Sequence, residues 1–210
     1  MKARVRRPGH ERRPQIAEAA LRLIGERGLP ALTSAAIAAE VGLTSGALFR
    51  HFPSVDTILE EAVANATTKL AATFPPVSLP PRERLFALLR SRVELLGSDP
   101  GLAWLLRSDQ AYLALPRGAV ARLRALVQRS RAFLLDSLRE GSAAGTVRAD
   151  IEPEVLLVLV TGAVHVLVGA QGVHRSAAPP NAERAGRVLR ALETLLSPPT
   201  RDAAPSPRSP

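Results

Sequence analysis

Several residue types are absent or scarce in this 210-residue chain, and each scarcity excludes a class of protein. Cysteine is absent, which excludes disulfides, cysteine-ligated zinc fingers and thiol nucleophiles, and leaves the redox compartment unconstrained. Aromatic residues make up only 3% of the chain, and no strand-like alternation of useful length occurs. Because hydrophobic residues still reach 46%, with much alanine and leucine, the composition predicts an all-α protein with a real core.

Positive charge dominates the chain, and nearly all of it is arginine. The net charge is +9, although Lys2 and Lys69 are the only lysines. Residues 1–13 contain six basic side chains against the single Glu11, a net charge of +5. We predict that this segment is a flexible basic arm that contacts phosphates, and the alternative is a solvated tail that keeps the protein soluble.

Helical periodicity and capping residues divide residues 14–73 into four predicted helices. Pro14 suits the first turn of the first helix, and Gly28 suits its C-terminal stop. Gly42 can adopt the positive φ that a sharp turn between the second and third helices needs. Each of the last three helices follows a residue type that caps helix N-termini: Thr33, Thr44 and Ser54.

A proline-rich run at residues 74–81, FPPVSLPP, separates this N-terminal unit from a larger helical remainder at 82–197. Further helices are predicted near residues 82–96, 100–113, 117–140, 153–173 and 181–196. The low-complexity segment 198–210 is predicted to be a disordered tail.

The segment 153–173 is the most apolar part of the chain, with no formal charge between Glu154 and Arg175. It could span a membrane, or it could be a helix buried in the core or between two subunits. The second interpretation is favoured because polar residues interrupt the segment: Thr161, His165 and Gln171. Gly162 and Gly169 would also let another helix approach one face. With no apolar signal peptide after the basic N-terminus, we expect a cytoplasmic protein without a membrane partner.

Residues 33–52, TSAAIAAEVGLTSGALFRHF, have the parts of a helix-turn-helix. Gly42 makes the corner, and apolar residues are predicted to hold the two helices together: Ile37, Val41, Leu43 and Leu48. Small residues at the start of the second helix would keep its backbone close to DNA bases: Thr44, Ser45, Gly46 and Ala47. Gly46 is a poor helix former, so its presence fits a surface that another molecule approaches.

The run ALTSAAIAAEVGLTSGALFRHFPS resembles the N-terminal signature of TetR-family transcriptional regulators. With the preceding IAEAALRLIGERG, the resemblance covers residues 14 to about 63. It implies a three-helix DNA-binding domain at 14–63, whose fourth helix continues to about 73, and a larger ligand-binding and dimerisation domain at 82–197. It further implies a homodimer, built from the last two long helices, that binds a palindromic operator. A small-molecule effector would release the DNA, usually from a repressor.

The resemblance also implies roles for individual residues of the helix-turn-helix. Thr33 and His51 would contact phosphates, Arg50 would reach a base or a phosphate, and Ala47 could contact only a thymine methyl group. The full predicted DNA-binding set is Thr33, Ser34, Thr44, Ser45, Gly46, Ala47, Phe49, Arg50 and His51.

The chain departs from the family pattern at two positions, with Phe49 where tyrosine is usual and Val55 where a lysine usually opens the fourth helix. Each departure removes one phosphate contact, and the basic arm is a hypothetical compensation. Phe49 and Phe52 are expected in the core of the three-helix unit rather than against bases. A competing function therefore stays open: a helical ligand-binding or protein-interaction dimer whose DNA binding is weak and non-specific.

The effector cannot be inferred from the sequence, and no cofactor or metal is predicted. Polar and aromatic candidates for the ligand pocket are Trp104, Arg107, Tyr112, Phe133 and His165, with Asp109 and Gln110 nearby in sequence. We do not expect an enzyme, because the chain has no glycine-rich phosphate loop or nucleophile motif, and its four histidines are scattered.

Overall fold

A computed structural model describes residues 9–169 and 182–199, and these residues form ten α-helices without a β-strand. The helices are α1 (Gly9–Arg27), α2 (Ser34–Glu40), α3 (Ser45–Leu48), α4 (Val55–Ala71), α5 (Pro81–Ser98), α6 (Pro100–Arg107), α7 (Asp109–Ala114), α8 (Arg117–Ala143), α9 (Pro153–Gly169) and α10 (Ala182–Leu196). A short 3-10 turn, Leu29–Ala31, joins α1 to α2. The predicted all-α class is confirmed.

Local chemistry sets several helix boundaries where the sequence predicts them. Gly28 follows the last residue of α1 and has a φ of 80°, a conformation that glycine adopts without steric cost. Ser54 and Thr57 form a capping box at the start of α4, because each side-chain oxygen accepts a hydrogen bond from the other residue's backbone N–H.

Two helix boundaries differ from the predictions. Helix α1 begins at Gly9 rather than at Pro14, so residues 9–13 of the expected flexible arm are helical. The helix expected over 100–113 is two helices separated at Ser108, whose backbone is extended. The Ser108 N–H donates to the Trp104 carbonyl and closes α6 before α7 begins. Parts of three predicted segments lie outside the described residues: residues 1–8 of the basic arm, 170–173 of the apolar helix and 200–210 of the tail.

Two clusters of buried apolar side chains form the core. The smaller cluster holds the N-terminal helices together and consists of Ile16, Ala20, Leu23, Ile37, Ala38, Leu48, Phe52 and Ile58. The larger cluster runs from α1 and α4 through to α10. Because α1 and α4 contribute to both, the N-terminal helices are packed directly on the larger helical body, α1 against α6 and α4 against α8.

Helix α9 is buried on one side only. Its inward side packs in the larger cluster through Leu156, Leu157, Val160, Val164, Leu167 and Val168. Its opposite side is exposed and apolar. In the part of the chain that the structure describes, no helix has the length and apolarity to cross a membrane. The predicted stripe of α10, Ala185, Leu189, Leu192 and Leu196, is buried, and α10 packs on α5 and α9 of the same chain.

Candidate functional site

Helices α2 and α3 each begin with a threonine cap. The Thr33 Oγ1 accepts a hydrogen bond from the Ala36 N–H at 3.1 Å, and the Thr44 Oγ1 accepts one from the Ala47 N–H at 3.2 Å. A hydroxyl that accepts in this way keeps its own proton for a second partner. Both threonine side chains are exposed, so each can cap its helix and donate to a phosphate oxygen at the same time.

The angle between α2 and α3 is fixed by a glycine turn and two buried side chains. Gly42 has a φ of 67°, which confirms the predicted corner, and the next residue, Leu43, donates its N–H to the Ala38 carbonyl at 2.8 Å. Ile37 and Leu48 are fully buried between the helices. Val41 and Leu43 are only partly buried, at the edge of the same cluster. The four residues predicted to join the helices do so.

The outward side of α3 carries a glycine that the fold itself does not require. A Cβ at Gly46 would meet no atom of the described chain within 4 Å, and Gly46 does not have the positive φ that favours glycine. Thr44 and Arg50 are exposed beside it, while Ser45 and His51 are half-buried. The helix thus presents a small-residue surface, with donors at its rim, that a DNA groove can approach closely.

The two phenylalanines of this region differ in burial. Phe52 is completely buried in the smaller cluster, as expected. The expectation that Phe49 is also a core residue is wrong, because its side chain is 44% exposed. Phe49 is the C-terminal cap of α3, between the buried Leu48 and the exposed Arg50. Val55, the other departure from the family pattern, is partly buried against both clusters.

Arg13 holds the backbone that follows α3, at His51, in place. The sequence did not reveal this role. Its Nη1 donates to the His51 carbonyl at 2.7 Å, and its Nη2 is 2.8 Å from the Glu61 Oε2. Its guanidinium also lies 4.0 Å from the centroid of the Phe52 ring. We expected Arg13 in the phosphate-binding arm, but these contacts occupy it within the fold. Its partners are 38 and 48 residues away in sequence, so no local signal could identify them.

The five predicted ligand residues have contacts with different neighbours. Phe133 packs edge-on against Phe74, Tyr112 lies 5.5 Å from the Arg124 guanidinium, and Trp104 is half-buried on α6. These contacts do not bring the five residues together in one site, and the ligand role of each stays a prediction.

Arg107 and His165 lie near each other where α6 contacts α9. Arg107 Nη1 donates to the Val168 carbonyl at 3.4 Å. Partial burial lowers the pKa of His165, and the positive charge of Arg107 lowers it further. His165 lies on the exposed side of α9 rather than inside the helical body.

Two surface clefts lie where the N-terminal helices meet the larger body. One, of about 210 Å³, is lined by residues of α1, α4 and the start of α6. The other, of about 350 Å³, lies between α4 and α8 and includes Arg13 and Arg122. Neither contains any of the five predicted ligand residues. Within residues 9–169 and 182–199, no group of three or more side chains could hold a metal ion.

Comparison with known proteins agrees with this geometry. The family model described as bacterial regulatory proteins, tetR family, matches residues 16–62, which include α2, the turn and α3. Over 185 residues the chain is 25% identical to the HTH-type transcriptional repressor KstR2 of Mycolicibacterium smegmatis, covering 86% of this chain and 88% of that protein.

Two solved structures share the fold over nearly the whole chain. The ketosteroid transcriptional regulator KstR2 of Mycobacterium tuberculosis has a TM-score of 0.75 at 20% identity, covering 89% of this chain and 95% of that one. AibR in complex with isovaleryl coenzyme A and operator DNA has a TM-score of 0.71 at 20% identity, covering 90% of this chain and 99% of that one. With the helix-turn-helix, the family match shows that residues 16–62 are a DNA-binding domain of the TetR family, and over most of its length the chain is similar to TetR-family transcriptional regulators, which are DNA-binding proteins and not enzymes.

Proposed function

We propose that this protein is a ligand-responsive repressor that binds a palindromic operator as a homodimer and releases it when a small-molecule effector binds. Its place of action is then the cytoplasm, where the DNA is. The observation that carries the proposal is the outward side of α3, where Gly46 has no role inside the fold and lies among donors suited to DNA.

The proposed contacts to DNA are of two kinds: phosphate contacts that position the protein, and base contacts that read the sequence. Thr33, at the start of α2, and His51, whose backbone carbonyl accepts a hydrogen bond from Arg13, would donate to phosphates and position the protein on DNA. Thr44, Ser45 and Ala47 lie at the start of α3, the end of a recognition helix that enters the major groove. Ser34, Phe49 and Arg50 complete the predicted set on the same unit.

The exposed apolar side of α9 supports the homodimer. Its large exposed side chains are Val155, Val158, Leu159 and Val166. Gly162 lies among them, and a Cβ there would meet no atom of the described chain within 4 Å. An apolar stripe with a small residue at its centre suits a second copy of the same helix across a two-fold axis. Such a dimer would present two α3 helices about one DNA turn apart, roughly 34 Å.

Response to a ligand requires that the larger helical body influence α3. Two contacts in the described part of the chain provide a route: α1 packs against α6, and α4 packs against α8. Since α1 and α4 also form the core that holds α3, a ligand that favours a different placement of α6 or α8 would change the spacing of the two recognition helices. AibR, which has this fold, is known in complex with both a ligand, isovaleryl coenzyme A, and operator DNA.

The test is retention of DNA fragments from around the protein's own coding region, at two salt concentrations and with excess competitor DNA. We expect one fragment to be retained and its footprint to be a palindrome with two half-sites. If every fragment bound alike and was released together as salt rose, phosphate contacts alone would be at work. That result would reject the proposed repressor function and favour the alternative, a helical ligand-binding or protein-interaction dimer.

A further inference from the structure

Arg92 of α5 is a buried arginine with an unused donor. Only 6% of the residue is exposed, and its Nη2 donates to the Ser130 Oγ at 3.3 Å. Its Nε has no acceptor, and it is the one buried side-chain nitrogen or oxygen without a hydrogen-bond partner among the described residues. A buried donor without a partner is costly, so such a group in a native structure points to a missing acceptor.

A second arginine makes the surroundings of Arg92 more positive. The guanidinium carbons of Arg92 and Arg129 lie 5.3 Å and 4.4 Å from the centroid of the same ring, Phe74. Neither arginine forms an ion pair with a carboxylate within residues 9–169 and 182–199. Burial lowers the pKa of Arg92 to about 10, with Arg129 contributing, so Arg92 still carries its charge at neutral pH.

Arg84, the other buried arginine of α5, shows what a structural arginine looks like in this fold. Its Nε donates to the Ser137 Oγ at 2.9 Å, its Nη1 donates to the Val77 carbonyl at 3.2 Å, and its Nη2 pairs with Glu140 at 2.7 Å. The fold therefore neutralises Arg84 and leaves Arg92 without a counter-charge.

We propose that Arg92, with Ser130 and Arg129, binds an anionic oxygen group of the effector, a carboxylate or a phosphate. The anion accepts a hydrogen bond from the free Nε of Arg92 and supplies the charge that the protein does not. Phe74 and Phe133, which pack edge-on with ring centroids 5.3 Å apart, provide an apolar wall beside it for the uncharged part of the ligand. This proposal rests on the proposed function, since it names the chemical class of the effector for the same regulator.

The location of this group of residues fits a role in regulation. Arg92 is on α5, Ser130 and Arg129 are on α8, and Phe74 follows the end of α4. An anion bound there would pull α5, α8 and the end of α4 together. Because Ile58 of α4 and Leu48 of α3 belong to the same smaller cluster, the change would reach the DNA-binding unit.

The experiment measures thermal unfolding of the full chain without DNA, in increasing phosphate or in increasing isovalerate, at an ionic strength held constant with chloride. The two anions distinguish a phosphate site from a carboxylate site. The variants are Arg92→Met and Arg129→Gln, and Arg131→Met is the control because it removes one exposed charge from α8. Phosphate also stabilises proteins by exclusion from their surface, and only the difference between variants is interpreted.

We expect at least one anion to raise the melting temperature of the wild type and of Arg131→Met in a saturable way. In Arg92→Met, the apparent affinity should fall about tenfold or more, as loss of a charge-assisted hydrogen bond predicts. Arg129→Gln, which alters only an exposed side chain, should weaken the effect and keeps the test valid if Arg92→Met does not fold. The absence of a saturable shift, or equal shifts in the wild type and the folded variants, would overturn the proposal.

This experiment does not involve DNA, so a negative result would reject the anion site without rejecting the proposed repressor function. A chain that retains one palindromic fragment but shows no anion site would be a regulator with a neutral or cationic effector. A chain with the anion site but without specific DNA retention would be a ligand-binding dimer.

Discussion

Gly25 in α1 and Gly101 in α6 face each other with no room for a side chain on Gly25. A Cβ on Gly25 would lie 2.6 Å from the backbone nitrogen of Gly101, and a Cβ on Gly101 would lie 2.7 Å from the Leu21 carbonyl oxygen. Real Cβ atoms do not approach backbone so closely, so the two helices touch backbone to backbone. This contact joins the helix that supports the DNA-binding unit to the larger helical body.

Alanine at either glycine should therefore separate α1 from α6. We expect Gly25→Ala and Gly101→Ala each to lower the free energy of unfolding by about 1–3 kcal/mol, the usual cost of overpacking. Chemical denaturation measures this, with Gly118→Ala as the control, because its Cβ meets only the flexible Glu60 side chain at 3.5 Å. Unchanged stability in both variants would show that the α1–α6 contact is looser than described.

Arg13 positions the segment around His51 through contacts inside the fold, and not through attraction of its charge to DNA. Arg13→Met should lower the free energy of unfolding by about 1 kcal/mol, a modest loss because the side chain is partly exposed. It should also weaken operator binding, because His51 loses its support. Arg12→Met removes the same charge, but within residues 9–169 and 182–199 the Arg12 side chain makes a single hydrogen bond, a long one of 3.5 Å from Nη1 to the Val41 carbonyl. Equal DNA affinities in the two variants, measured by fluorescence anisotropy, would mean that charge alone matters.

Gly46 is proposed to serve DNA and not the fold. Gly46→Ala should leave stability unchanged or raise it by up to about 1 kcal/mol, since alanine is the better helix former and has free space. The same variant should bind the operator more weakly, because the new methyl group stands between α3 and the bases. Thermal unfolding and anisotropy measure the two effects. If the variant is at least as stable as the wild type and binds DNA as tightly, Gly46 does not lie at the DNA interface.

The dimer is proposed to form through the exposed side of α9. Val158, which is 63% exposed, lies on that side, and Val158→Lys should shift the protein toward monomer and weaken operator binding. Leu113→Lys is the matched control, because Leu113 is 87% exposed on a different helix, α7. Sedimentation velocity gives the oligomeric state. If Val158→Lys stayed dimeric, the subunit contact would lie elsewhere.

The sequence predicts the helix-turn-helix well because the signals for it are local. The caps at Thr33, Thr44 and Ser54 act within three residues, and Gly42 determines a single turn. The start of α1 was mispredicted because proline is common in a first turn, whereas Pro14 is the sixth residue of this helix. Proline alone does not show how many helical residues precede it.

The features that the sequence does not reveal depend on distant contacts. Arg13 and Arg92 are only two of many arginines until the fold places Arg13 on His51 and Glu61, and buries Arg92 without a carboxylate. The exposure of Phe49, beside the buried Leu48, likewise depends on how α3 packs in the smaller cluster, which the local sequence does not show. An apolar run such as 153–173 shows that a helix is mostly buried, but not which side packs inside its own chain.

The most direct test of the account uses the absence of cysteine from the chain. Ser45→Cys places a single thiol at the start of α3, and it can carry an iron chelate that cleaves nearby DNA. On the retained fragment, we predict two sites of cleavage related by the palindrome, about one DNA turn apart, and none from Ser78→Cys in the exposed loop before α5. Cleavage along the whole fragment, or equal cleavage from both positions, would contradict the claim that α3 reads the operator as part of a dimer.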